Sequence, residues 1–131
     1  MRSLSVLFCL VLLIGSVMSQ DLLVHVDDPT EADEAAANII NYFIQAPNAN
    51  VAAVFNGVGP IIFSTPGNSL LKEYEEIYRQ YPNQFQVLLC NNSIHGLNIP
   101  ASAFPSFTTI VPAAVASIAE LQQKGYGYIK P

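Results

Sequence analysis

LLVHVDDPTEADEAAANIINYF, residues 22–43, contains the transition on which the fold turns. Leu22 to Val26 is apolar at almost every position instead of at alternate ones, the pattern of a strand covered on both faces. Directly after it, Asp28-Pro29-Thr30-Glu31 carries helix-start chemistry. The Asp28 carboxylate can accept from free amides of the first turn, Pro29 suits the first helical position, and Glu31 stands where a capping box places its acid. From there Ala32, Ala36, Ile39, Ile40 and Phe43 recur at helical spacing as far as Pro47, which predicts one buried face.

The same alternation of apolar run and amphipathic stretch continues outward to the C terminus. Asn50 to Phe55 (NVAAVF) reads as the second strand and ends in the turn chemistry of Asn56-Gly57-Val58-Gly59-Pro60. After a short apolar segment, Ile61 to Phe63, Ser69 to Tyr81 places Leu70, Leu71, Tyr74, Ile77, Tyr78 and Tyr81 on one helical stripe. Glu75 stands one turn before Arg79, and Pro82 stops the helix. Phe85 to Cys90 (FQVLLC) is the third strand, and the polar Asn91-Asn92-Ser93-Ile94-His95-Gly96 that follows can open a short helix. Phe107 to Val111 is the fourth. Pro112 begins a helix with Ala114, Val115, Ile118 and Leu121 inward, Lys124 in its last turn and Gly125 just beyond, and YGYIK closes the chain as a fifth, edge strand. Fully apolar strands separated by amphipathic helices predict an α/β fold: a three-layer α/β/α sandwich around a five-stranded, mostly parallel sheet, in one domain.

Composition narrows the function. With 51% apolar and 11% charged residues in 131, the chain has a core and is not intrinsically disordered. Five Lys and Arg against ten Asp and Glu, a net charge of −5, exclude a basic nucleic-acid binder, and two cysteines are too few for a disulfide scaffold. Residues 1–19 read as a cleaved signal peptide: Arg2, an apolar run from Leu4 to Ile14, then Val17-Met18-Ser19. That run is shorter than the roughly 20 residues that span a bilayer. The expected location is therefore secreted or periplasmic, free of the membrane once cleaved. Cys9 leaves with the leader, and Cys90 remains as a single thiol in residues 20–131. So few charges among so many apolar residues also suggest faces left to bury in an oligomer.

In open parallel sheets ligands bind beyond the carboxyl ends of the strands, where helix amino-termini and turn amides converge. That rim holds Asp27 and Asp28 after strand one, Asn56 and Gly57 after strand two, Cys90, Asn91 and Asn92 after strand three, and Pro112 after strand four. A thiol between a strand end and a helix start feels the positive end of the helix dipole, which favours the thiolate and nucleophilic sulfur chemistry. The alternative is that Cys90 completes the apolar run and points into the core; FQVLLC does not decide between them, because both faces of the strand are covered. His95, the nearest proton-transfer partner, lies five residues on and well round the helix. His25, set among Leu and Val, reads as a core histidine bonded to backbone. Asp27, Asp28 and the histidines match no metal-ligand spacing, so no metal is expected. Gly57-Val58-Gly59 lacks the third glycine of a dinucleotide loop, Ile62 standing there, and reads as a turn with no cofactor. Asn91-Asn92-Ser93 also spells an N-glycosylation sequon.

Taken in order, HVDDP at 25–29, VFNGVG at 54–59, VLLCNNS at 87–93 with Gly96, and VPAAVASIAELQQKGYGYIKP at 111–131 resemble the DsrE/DsrF-like sulfur-relay superfamily, in particular its small exported members. The resemblance extends over essentially all of residues 20–131. It implies a three-layer domain that assembles into trimers or hexamers. It also implies that Cys90 stands where relay members carry persulfide sulfur and hand it to a partner protein. Where the best-known carriers have an alanine-rich loop after that cysteine, this chain has Asn91-Asn92-Ser93. The expected function is a sulfur carrier or sulfurtransferase-like protein, with Cys90 as acceptor, Asn91 and Asn92 holding the anionic sulfur, and Asn56-Gly57 as the facing wall. The alternatives are a non-enzymatic binding module for a small anionic or polar ligand, and an oligomeric structural protein.

Overall fold

Strand and helix alternate as β1 (Leu22–Val26), α1 (Ala32–Gln45), β2 (Val51–Phe55), α2 (Ile61–Ser64), α3 (Ser69–Gln80), β3 (Phe85–Cys90), α4 (Asn91–Gly96), β4 (Thr108–Val111), α5 (Ala114–Gln123) and β5 (Gly127–Ile129). The structure, a computed structural model, describes residues 20–131; the signal peptide read at residues 1–19 lies outside the described residues. All four strand pairings are parallel, in the order β4-β3-β2-β1-β5. Val26 lies opposite Phe55, Phe55 opposite Leu89, and Cys90 opposite Val111, so the carboxyl ends of β1 to β4 form one rim.

Connectivity decides which helix covers which face. The chain steps in one direction from β1 to β4, and right-handed crossovers then put α1 and α3 on the same side. The return from β4 to β5 runs back across the sheet and puts α5 on the other. Alternation along the strands divides the core accordingly. Val24, Val26, Val51, Ala53, Phe55, Val87 and Leu89 pack against Ala35, Ile39 and Phe43 of α1 and Tyr74 and Ile77 of α3. Leu23, Ala52, Val54, Leu88 and Cys90 pack against Ala114 and Leu121 of α5. The α/β/α sandwich is thus built as its strand composition predicts, with the α5 layer carried by a single ten-residue helix.

Several local expectations are corrected. Asp28 does cap, accepting from the Thr30 amide at 2.8 Å and the Thr30 hydroxyl at 2.6 Å, but Pro29–Glu31 form a separate 3-10 turn before α1. Glu31 closes no capping box; together with Asp27 it holds Lys130, 2.7 and 2.9 Å from Nζ, and the two carboxylates push that amine up to about 12. This clamp ties the end of the chain to β1. Ile40 is 38% exposed and Ala35 takes its place in the buried stripe, because a residue one position beyond Ile39 is turned about 100° away. Arg79 pairs with Glu76, not Glu75. The apolar Ile61–Ser64 is a turn of helix. Pro112 precedes α5, whose first residue is Ala114; with Ala114, Ile118 and Leu121 facing the sheet, Val115 is turned outward and is 69% exposed.

Candidate functional site

Strand alternation and register together bring four side chains onto the α5 face at the carboxyl rim. Asn56 follows Val54 by two, and Cys90 follows Leu88 by two, so both share the face that Val54 and Leu88 bury under α5. His25 follows Leu23 on that same face, and Tyr128 lies opposite Leu23. Tyr128, His25, Asn56 and Cys90 therefore form a polar line across β5, β1, β2 and β3.

Cys90 ends β3 and stands at the start of α4, covered to 6% exposure. The amide of Ala114, first residue of α5, donates to Sγ at 3.4 Å. Two helices thus open beside one sulfur. The amides of Asn92 and Ser93 and the Ser93 hydroxyl also face it, more loosely and without forming a side-chain cap of α4. Burial is the largest single influence on the thiol and opposes its ionisation. The donors at Ala114, Ser93 and Asn92 together outweigh it and hold the thiol below its ordinary value. Cys90 is therefore both a member of the smaller apolar cluster and a rim sulfur surrounded by N–H and O–H donors.

Gly57 builds the wall beyond Asn56. Its φ is +56°, and a β-carbon there would lie 2.6 Å from the Asp27 carbonyl oxygen. That oxygen accepts from Val58 and Gly59 at 3.0 and 3.1 Å, so the turn is stitched to the end of β1. The turn departs from strand geometry as soon as Asn56 has donated its amide to Val26, and this fixes the Asn56 side chain beside His25. The side chains of Asn91 and Asn92 are exposed in the first turn of α4. His95 is exposed at the far end of that helix and contributes nothing to Cys90.

His25 is not the backbone-bonded core histidine that its sequence neighbours suggest. It is partly exposed, and both ring nitrogens are bonded to side chains: Nδ1 to the Tyr128 hydroxyl at 2.6 Å and Nε2 to Asn56 Oδ1 at 2.9 Å. Sequence reasoning missed this pairing, and missed the Ala114 amide, because both depend on register between strands far apart in the chain. Alternation counted from Leu23 and Val54 is the signal that would have found it. Among the described residues, no three His, Cys, Asp or Glu side chains are placed to hold a metal ion.

No family model matches the chain, and no curated protein matches it. A solved structure of a protein of unknown function from Methanobacterium thermoautotrophicum, MTH1491, is similar to it in fold. The TM-score is 0.75 over 86% of this chain and 99% of that one, at 17% identity.

Proposed function

We propose that the chain is a thiol-based sulfur carrier of the DsrE/DsrF-like kind, exported, in which Cys90 accepts sulfur as a persulfide and passes it to a second thiol. One observation carries this reading: Cys90, the one cysteine among the described residues, stands at the carboxyl rim of a parallel sheet, and the polar groups that reach its sulfur are hydrogen-bond donors at two helix starts. Such donors favour the thiolate that attacks, and they favour the anionic outer sulfur of the product. The motifs that resemble the sulfur-relay superfamily support it independently.

In the step proposed, the Cys90 thiolate attacks the outer sulfur of a donor persulfide, R–S–SH. The donor's S–S bond breaks, R–S⁻ leaves, and a new S–S bond joins Cys90 to the transferred sulfur. The proton on that sulfur passes through solvent to the leaving thiolate, so no external oxidant or reductant is consumed. Asn92 and Ser93 offer amides to the sulfur, Asn91 opens the same helix, and Asn56-Gly57 form the opposite wall. Trimer or hexamer formation belongs to the same reading, and the exposed Val115 and Tyr128 on the thinly covered α5 face fit burial against further copies.

Residues 20–131, incubated with glutathione persulfide and read by intact mass, are expected to gain one sulfur atom that dithiothreitol removes. Cys90→Ser is expected to gain none. A wild-type protein that gains no sulfur overturns the proposal. The second reading, a binding module for a small anionic or polar ligand, is favoured by the partly exposed His25, Asn56 and Tyr128 on the same face. It predicts ligand binding that survives Cys90→Ser.

A further inference from the structure

Several asparagine side chains hold the fold together. Asn50 donates its side-chain amide to Asp21 at 3.2 Å, Asn56 is bonded to His25, and Asn68 caps α3 by accepting from the Leu70 amide at 2.9 Å. Asn91 has no such task. Its side chain is exposed and forms no hydrogen bond with a described residue. At position 90 an asparagine would cap α4, but position 91 lies past the cap and inside the helix, where asparagine is a poorer choice than alanine.

The neighbouring sequence supplies a reason for it. Of all the asparagines in the chain, only Asn91 is followed two positions on by Ser or Thr, and the residue between, Asn92, is not proline. Asn-X-Ser is the acceptor sequence for N-linked sugar in secreted proteins, and residues 1–19 carry the pattern of an export leader. In the transfer, the Asn91 side-chain nitrogen forms a bond to the anomeric carbon of a sugar carried on a lipid diphosphate. The bond between sugar and diphosphate breaks, the lipid diphosphate leaves with the electron pair, and one amide proton goes to a base of the transferase. Nothing is oxidised or reduced.

The fold bears on when this happens and on what it leaves behind. In a helix, residues two apart are turned about 200° from one another, and the Ser93 hydroxyl faces the Cys90 sulfur. The folded chain therefore does not present Asn91 and Ser93 side by side to an enzyme, and the acceptor is the extended chain during export, before β3 and α4 form. The finished fold then has to accommodate the product. Asn91 and Asn92 are both exposed at the carboxyl rim, while Cys90 and Ile94 on either side of the sequon's exposed pair are buried. A sugar on Asn91 stands in solvent and displaces no packed side chain.

We infer that Asn91 is an N-glycosylation site, modified during export and carrying its glycan exposed at the rim that holds Cys90. The inference rests on the export part of the reading above and not on the chemistry of the thiol.

The test is expression of the full chain, residues 1–131, in cultured animal cells, with medium and lysate both read by gel mobility and mass before and after digestion with peptide N-glycosidase. Wild-type protein in the medium is expected to carry a single glycan that digestion removes, leaving the Asn91 amide converted to an acid. Asn91→Gln and Ser93→Ala are expected to run at the digested position without treatment. Ser93→Thr keeps the hydroxyl and is expected to keep the glycan, a rescue that a purely structural role for Ser93 would not give. Because transfer precedes folding, a variant that misfolds and stays in the lysate still reports on the site. Bare wild-type protein in the medium, or a glycan that survives Asn91→Gln, would overturn the inference. A second chain, in which the leader of a protein these cells secrete replaces residues 1–19, separates the site from the export reading. If that chain alone is secreted and glycosylated, the export reading fails and modification of the native chain fails with it. If both chains are secreted bare, export stands and only the Asn91 site falls.

Discussion

Truncating Phe55 to alanine is expected to cost about 3–5 kcal/mol of stability, the range for a fully buried phenylalanine. Phe55 is wholly inaccessible at the end of β2, the central strand of five. Its ring meets Phe63 edge-on at 4.8 Å and Tyr74 at 5.3 Å between centroids, and Tyr74 in turn donates its hydroxyl to the Ala32 carbonyl at the start of α1. Removing the ring opens a cavity where β2, α1, α2 and α3 meet, and the backbone of a central strand has neighbours on both sides that prevent collapse. Urea denaturation measures the loss. Ile44→Ala is the control: Ile44 is exposed on α1, and its truncation is expected to stay within about 0.5 kcal/mol. Equal losses at the two positions would place the core elsewhere.

The second large effect is expected at Gly57. A non-glycine residue at φ +56° pays about 1–2 kcal/mol for the left-handed conformation alone. Here the added β-carbon also meets the Asp27 carbonyl oxygen at 2.6 Å, and that oxygen is fixed by the amides of Val58 and Gly59. Gly57→Ala is therefore expected to cost about 2–4 kcal/mol in all. Gly67 separates the two contributions. Its φ is +77° with nothing within 4 Å of an added β-carbon, so Gly67→Ala is expected to lose only the conformational part, about 1–2 kcal/mol. Identical urea midpoints for the two variants would show that the turn does not press on β1. Because Gly57 directly follows Asn56, its substitution is also expected to displace the amide that His25 holds.

The fold was legible because its signals are local. Apolar runs without alternation, Asp28 before Pro29, Asn56-Gly57 after β2 and Gly125 after α5 each act within a few residues, and each marks an element end that the structure keeps. Small misreadings came from rotation: Ile40 and Val115 satisfy helical spacing within a residue, and only the neighbouring layer decides which side of the stripe is buried. The site was less legible for a different reason. Cys90 was found because a strand end next to a helix start is itself a local feature. His25, Tyr128 and the Ala114 amide join the row only through strand order and register, and β5 returns beside β1 from the far end of the chain. Leu22 to Val26 gives no local sign that position 25 faces a hydroxyl from residue 128.

The central claim is that the donors around Cys90 outweigh its burial and favour the thiolate. The direct measurement is the rate of Cys90 alkylation by iodoacetamide as a function of pH, on residues 20–131 in the native state and read by intact mass. A single titration is expected, with an apparent pKa below that of an unperturbed cysteine thiol measured alongside. The rate should be proportional to the thiolate present. A thiol that titrates at or above that value, or that is alkylated only when the protein unfolds, would contradict it and reduce Cys90 to a packing residue beneath α5.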